Sequence, residues 1–217
     1  MIELVDVSKT YSLKGVKKVI LDHVSYSFPH DRNIAIMGMN GAGKSTLMRL
    51  ISGIELPDSG HIYRDVKVSW PMGFARGFNG TMTGLENVRF VARIYGADTE
   101  FVISYVQEFA ELGKSLSLPI ATYSSGMKAR LAFGLSLAID FDCYLIDEIT
   151  AVGDARFKRK SKAAFDNKLK NASLIMISHS EAAIKSYCDS GVLLHEGCIY
   201  YYDKIAELIK DYKLMLA

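Results

Sequence analysis

Gly38-Met39-Asn40-Gly41-Ala42-Gly43-Lys44-Ser45 satisfies the pattern G-x-x-x-x-G-K-[ST] at every fixed position. Its flanks suit it. Asn33-Ile34-Ala35-Ile36-Met37 reads as a short buried strand, and Thr46-Leu47-Met48-Arg49-Leu50-Ile51 as the start of a helix. Glycines let the backbone wrap closely around phosphate oxygens, and consecutive N–H groups then form an anion nest. The helix N-terminus adds its positive dipole end. The loop from Gly38 through Met39, Asn40, Gly41, Ala42 and Gly43 to Thr46 is expected to hold a nucleoside triphosphate. Lys44 reaches the β- and γ-phosphates in this reading, and the Ser45 hydroxyl ligates Mg²⁺.

The rest of the chain is compatible with one globular domain, alone or with a small subdomain. The 217 residues are 49 % hydrophobic and 23 % charged, enough apolar material for a full core. A net charge of +2 does not imply a nucleic-acid or polyanion partner. The three cysteines, Cys143, Cys188 and Cys198, lack C-x-x-C spacing. They argue against a disulfide framework or zinc site and fit a reducing cytoplasm. Glu3 and Asp6 interrupt any leader at once, and no run of apolar residues is long enough to span a membrane.

Residues 2–7, 24–28 and 61–63 alternate partly with period two, as in half-buried antiparallel strands. Continuous apolar runs at 34–37, 144–146, 174–177 and 192–194 suit strands buried on both faces of a parallel sheet. From Trp70 to about Ile139 the pattern turns helical. Phe101, Val102, Tyr105, Val106, Phe109 and Leu112 share one helix face, with Asp98 as N-cap and Gly113 as stop. The predicted architecture is an α/β nucleotide-binding core, an antiparallel β subdomain, a helical insertion at about 71–139 and a last helix at about 203–216.

Two further strand ends carry chemistry. Cys143-Tyr144-Leu145-Ile146-Asp147-Glu148 is an apolar run ending in two carboxylates. Beside a phosphate loop, Asp147 can hold Mg²⁺ and Glu148 can polarise the attacking water as a general base. Leu174-Ile175-Met176-Ile177-Ser178-His179 ends in an imidazole that can hydrogen-bond the γ-phosphate and orient that water. The other histidines, His23, His30, His61 and His195, read as surface residues.

Tyr123-Ser124-Ser125-Gly126-Met127 opens a helix at 128–139, between the phosphate loop and the Asp147-Glu148 strand. With it, the order of motifs resembles the ATP-binding cassette (ABC) ATPases over nearly the whole chain. The resemblance implies an ABC-type P-loop core that binds ATP and Mg²⁺. It implies a homodimer on ATP binding, with Ser124, Ser125, Gly126 and Asp154 contributed to the partner's nucleotide. Tyr11 matches the aromatic residue that stacks on adenine; an ordinary strand-end tyrosine is the alternative. Tyr123, Ser125 and Met127 depart from the family signature Leu-Ser-Gly-Gly-Gln. The usual Gln at the start of the insertion is also missing, its place falling near Gly73 or Phe74.

Val68-Ser69-Trp70-Pro71-Met72-Gly73, Thr122-Tyr123-Ser124-Ser125-Gly126-Met127 and Asp147-Glu148-Ile149-Thr150-Ala151-Val152-Gly153-Asp154 further resemble capsular polysaccharide exporter ATPases of Gram-negative bacteria. That resemblance implies a peripheral ATPase on the cytoplasmic face of the inner membrane, docked on two copies of a permease. The cargo would be lipid-linked polysaccharide, with periplasmic and outer-membrane export proteins beyond and no nucleic acid. The chain's end soon after its last helix favours the capsule type over O-antigen or teichoic-acid exporters. Phe74, Phe78 and Met82 are expected as exposed anchors for the permease. Arg156, Lys158, Arg159, Lys160 and Lys162 read as a solvated helix face or a contact for anionic lipid or saccharide. Trp70 and Tyr200-Tyr201-Tyr202 suit core packing and hairpin pairing, or a sugar platform. A soluble ABC protein acting on ribosomes or DNA is the alternative of a different class.

Overall fold

A computed structural model describes residues 1–13, 15–72, 77–147 and 154–216. The chain forms two compact units. One contains Met1–Pro71, Phe141–Ile149 and Ala172–Ala217; the other contains Met72–Asp140 and Thr150–Asn171.

The first unit is built on two sheets. Strands β1 (Ile2–Leu13), β2 (Val16–Phe28) and β4 (Ser59–Arg64) form an antiparallel sheet in the order β2-β1-β4. These strands are longer than their alternation suggests. The pairing slips between Leu4 and Val7, where Asp6 takes a left-handed φ of 53°. A bulge there shifts the side-chain phase, so period two holds only in pieces. Strand β3 (Ile34–Met37) lies in the second sheet with β5 (Val68–Pro71), β6 (Cys143–Asp147), β7 (Ser173–Ile177), β8 (Ser190–His195) and β9 (Cys198–Tyr202). The order is β5-β6-β7-β3-β8-β9, parallel except for β9. The apolar runs read from sequence are these buried parallel strands.

Trp70 and Pro71 belong to β5, which corrects their assignment to the helical stretch. The ladder between β5 and β6 shifts register there. Ser69, fully buried, completes it with a side chain: its Oγ accepts the Leu145 N–H at 2.9 Å. Trp70 packs edge-on against Phe141, and Tyr200 and Tyr201 pair with Leu193 and Val192 across the β8–β9 hairpin. Helix α1 (Lys44–Ser52) buries Leu47, Met48, Leu50 and Ile51 in a core shared with Ile34, Ile36 and both sheets. Arg64 closes its far end by donating to the carbonyls of Leu50 and Ile51.

The second unit is helical. Helix α2 (Gly84–Ile94) opens with a capping box in which Thr83 and Glu86 satisfy each other's backbone N–H. Helix α3 (Thr99–Ala110) is capped by Asp98, as the sequence suggests. It stops at Glu111 with φ 54°, so Leu112 lies outside it and Gly113 is not the stop. The Glu111 carboxylate is held by Lys160 at 2.8 Å and faces Arg156 and Arg130, contacts that lie far off in sequence. Two 3₁₀ turns, Gly113–Ser117 and Ile120–Thr122, lead to α4 (Ser125–Ala138), then α5 (Ala155–Lys168). Phe109 stacks on Tyr105 at 5.7 Å and meets Phe157 edge-on at 5.5 Å, which joins α3 to α5. The reading of 71–139 as the insertion leaves out α5, which clusters with these helices. Helices α6 (Glu181–Tyr187) and α7 (Ile205–Leu216) return to the first unit, α7 packing Leu208 and Ile209 inward.

Candidate functional site

The phosphate loop links β3 to α1. Glycine is required at two of its positions by the chain's own packing. Gly43 has φ 106°, and a Cβ there would stand 2.3 Å from Ile20 Cγ2. A Cβ on Gly38 would stand 2.5 Å from the Leu194 carbonyl. Gly41 has φ 79° with Lys18 Nζ above it. Lys44 folds back over the loop, donating to the carbonyls of Gly38 at 2.7 Å and Met39 at 3.1 Å.

Helix α1 begins at Gly43 with no side-chain cap. Helices α2 to α6 each begin with one: Thr83, Asp98, Ser124, Asp154 and Ser180. Gly43, Lys44, Ser45 and Thr46, the start of α1, line a cavity of about 400 Å³. Tyr11, Lys18, Asn40, Ser45, Asp147 and His179 stand around it. Three strand ends converge here because β3, β7 and β6 are adjacent and parallel, with Asp147 beside Ile177 in register. Strand β3 is inserted between β7 and β8, and ligands of such parallel sheets lie outside the carboxyl ends of the strands.

Sequence reading therefore placed Tyr11, Asn40, Gly41, Gly43, Lys44, Ser45, Thr46, Asp147 and His179 in one cavity. Gly38 lines a smaller cavity of about 150 Å³ beneath the loop, with His179 and α7. Glu148, the stretch 151–153, Gly73 and Phe74 lie outside the described residues. Lys18 was missed. It pairs with Tyr11 across the β1–β2 ladder, a relation that only strand register reveals. His23, His30 and His61 are exposed, and His195 is half-buried. His23 pairs with Asp6 at 2.8 Å, and that hydrogen bond raises its pKa. Cys143 is buried, which pushes its thiol up to about 11.

The residues fit Mg²⁺ through oxygen donors. Ser45 and Asp147 face one cavity, and no group of three or more His, Cys, Asp or Glu residues that could hold a metal exists among the described residues. An ion there would complete its shell with phosphate oxygens and water.

In the helical unit, Ser124 caps α4 by accepting the Met127 N–H at 3.2 Å, which leaves its O–H available to donate. Ser124 and Ser125 are exposed. A Cβ on Gly126 would meet nothing nearer than Ser124 Oγ at 3.9 Å. Its own fold does not require this glycine. Tyr123, the departure from the family signature, is buried and donates to the Ser115 carbonyl at 2.6 Å. Its hydroxyl occupies the space a Cβ on Gly84 would need, 2.4 Å away. Asp154 caps α5 through the Phe157 N–H and pairs with Arg130 at 2.9 Å, which together hold its carboxyl below the usual range.

Phe78 and Met82 are half-buried rather than exposed. Among the described residues, the most exposed large apolar side chains of this unit are Phe90 at 55 % and Ile94 at 61 % on α2 and Phe101 at 56 % on α3. In the basic run, Lys160 bonds Glu111 and the carbonyls of Glu108 and Phe109, and Lys162 pairs with Asp166. No helix among the described residues is long and apolar enough to cross a membrane.

A glycine-rich loop at the start of a helix, with a strand-end Asp and a strand-end His beside it, can take a nucleoside triphosphate. The chain belongs to the ABC transporter family, whose pattern matches residues 21–151. It is 51 % identical to the polysialic acid transport ATP-binding protein KpsT of Escherichia coli, covering 98 % of this chain and 99 % of that protein. It is 47 % identical to the capsule polysaccharide export ATP-binding protein CtrD of Neisseria meningitidis, covering 98 % of each. Its fold matches a dimeric ATP-binding cassette, MJ0796, in a post-hydrolysis state bound to ADP and Pi, with TM-score 0.75 at 21 % identity over 94 % of this chain and 99 % of that one.

Proposed function

We propose that this chain is the ATP-hydrolysing subunit of an exporter for lipid-linked capsular polysaccharide, working at the cytoplasmic face of the inner membrane. The observation that carries the ATPase reading is one cavity lined by the start of α1, Gly43 to Thr46, together with Asp147 and His179. Full-length similarity to capsule and polysialic acid transport ATP-binding proteins supports the cargo.

The chemistry follows from these groups. The loop N–H groups and Lys44 neutralise the β- and γ-phosphates, and charge developing on the transferred phosphoryl oxygens stays stabilised by donors already in place. Ser45 and Asp147 would hold Mg²⁺, which when bound would supply positive charge against the phosphate oxygens. Glu148 takes a proton from the attacking water, and His179 orients that water against the γ-phosphate. Tyr11 supplies a face for the base, and Lys18 adds positive charge beside the loop. Two copies pair head to tail on ATP, so that Ser124, Ser125, Gly126 and Asp154 of each complete the other's site. Gly126 supports this pairing: a glycine in the first turn of a helix costs roughly 1 kcal/mol relative to Ala, and open space in front of it admits a phosphate. Two permease subunits receive the motion through the helical unit, and periplasmic and outer-membrane proteins carry the polymer onward.

The test is replacement of the chromosomal copy by Lys44→Ala and by Glu148→Gln. Both should abolish surface polysaccharide while lipid-linked polymer accumulates inside. Glu148→Gln should still bind ATP and lose turnover by roughly 10²-fold, the scale of a lost general base. Normal surface polymer with either variant refutes the export assignment.

A further inference from the structure

We propose that Glu55, together with Arg49 and Lys9, is a positioning residue for the nucleotide base, because it fixes the Tyr11 ring relative to the phosphate loop. This rests on the reading of Tyr11 as the base platform.

The Tyr11 hydroxyl is used in both senses. It donates to Glu55 Oε1 at 2.5 Å and accepts from Arg49 Nη2 at 3.0 Å. Arg49 Nε closes the triangle on Glu55 Oε2 at 2.9 Å. The ring is also backed by a cation: Lys9 Nζ lies 5.6 Å from its centroid. Lys9 has three N–H donors and three acceptors within reach, Leu56 O at 2.9 Å, Asp58 Oδ1 at 3.0 Å and Glu55 Oε1 at 3.1 Å. Asp58 Oδ2 accepts the Thr10 N–H at 2.6 Å, which pins the strand one residue before Tyr11. The tip of the ring, the lysine over one face and the backbone one residue before it are thus all tied to residues 49–58.

That segment is the end of α1 and the turn after it, not the hairpin that carries Tyr11. Arg49 also donates to Thr46 Oγ1 at 3.1 Å, and Thr46 follows the phosphate-loop residues Lys44 and Ser45 on the same helix. The platform for the base and the cradle for the phosphates therefore share one rigid reference. Without the clamp, Tyr11 stands on β1 close to the β1–β2 turn, and its ring must be ordered when nucleotide arrives, at a cost in affinity. The clamp holds two cations and two carboxylates, so it places no net charge beside the triphosphate. Burial lifts the Glu55 carboxyl, but the bonds from Tyr11, Arg49 and Lys9 outweigh it and keep the group ionised.

The test is equilibrium dialysis of the full chain with labelled ATP and Mg²⁺, with inorganic tripolyphosphate as competitor. Glu55→Ala and Tyr11→Phe should each weaken ATP binding by about three- to tenfold, the scale of one ordinary intramolecular hydrogen bond that no longer orders the ring. The double variant should be no weaker than the weaker-binding single, because both changes remove the same link. Glu55→Gln, which keeps an acceptor for the phenol, should recover part of the loss. Tripolyphosphate has no base, so no variant should weaken its binding; Glu55→Ala and Glu55→Gln, which remove a negative charge near the loop, should leave it equal or tighter. Unchanged ATP affinity in Glu55→Ala and Tyr11→Phe, additive losses, or a parallel loss of tripolyphosphate binding would each overturn the proposal. Tyr11→Ala separates the two layers. If it leaves ATP affinity unchanged, the base-platform reading falls and the clamp with it. If it weakens ATP while Tyr11→Phe and Glu55→Ala do not, the platform stands and the clamp alone fails.

Discussion

Gly43 and Ile20 approach so closely that a single methyl on Gly43 would lie 2.3 Å from Ile20 Cγ2. The loop is seated against the antiparallel sheet with no space for a side chain. Gly43→Ala meets both this clash and a left-handed φ of 106°. The left-handed strain alone costs about 1–2 kcal/mol. Thermal unfolding should show a clear loss of stability, and dialysis should show loss of ATP and tripolyphosphate binding together.

Gly126→Ala should behave in the opposite way. Its Cβ enters open space in the first turn of α4. The folded chain should gain up to about 1 kcal/mol, the usual difference between Gly and Ala in a helix. Single-copy ATP binding should stay normal. Turnover and ATP-driven dimerisation should fall by tenfold or more, measured by phosphate release and by sedimentation of a Glu148→Gln background. Unimpaired turnover would argue against phosphate contact at this helix.

Thr83→Ala removes the capping box of α2 and should cost about 1 kcal/mol in chemical denaturation. The effect should be local, with ATP affinity unchanged.

Acid stability should report Glu181. Hydrogen bonds from Lys185 and Lys213 hold its carboxyl at about 2, against an ordinary 4.5. A depressed folded pKa contributes stability above the unfolded value, and that contribution is lost as pH falls from about 4.5 towards 2. The group is exposed, so the effect is modest and weakens with salt. In Glu181→Gln the denaturation midpoint should fall less steeply across that window than in the parent.

Phe90→Asp and Ile94→Asp test where the permease docks. Both side chains are exposed on α2, so the isolated chain should keep its melting temperature and ATP affinity. Co-purification with membranes that carry the permease should drop. Undiminished association would exclude this face.

The core and most of the nucleotide site were legible because they depend on short-range signals. A G-x-x-x-x-G-K-[ST] loop carries its own backbone requirements, and buried parallel strands appear as unbroken apolar runs. What sequence missed depends on partners far along the chain. Strand β5 completes its ladder through the Ser69 hydroxyl, a bond no propensity encodes. Helix α3 ends early at Glu111, where Lys160 pairs with its carboxylate. Lys18 enters the site only through its register opposite Tyr11. Phe78 and Met82 read as exposed because residue type does not reveal which side of a turn faces inward.

Tyr123 and Gly84 interlock, the phenol filling the volume that any side chain at position 84 would occupy. The two positions are thus one heritable unit. A change from Tyr123 to the leucine more usual in the family signature gives up the bond to Ser115 and opens a hole beside Gly84. A side chain gained first at position 84 collides with the ring. Neither single step is free, so paired change at positions 84 and 123 is the less costly route, and the aromatic residue at the head of this signature is held by packing as well as by any nucleotide chemistry.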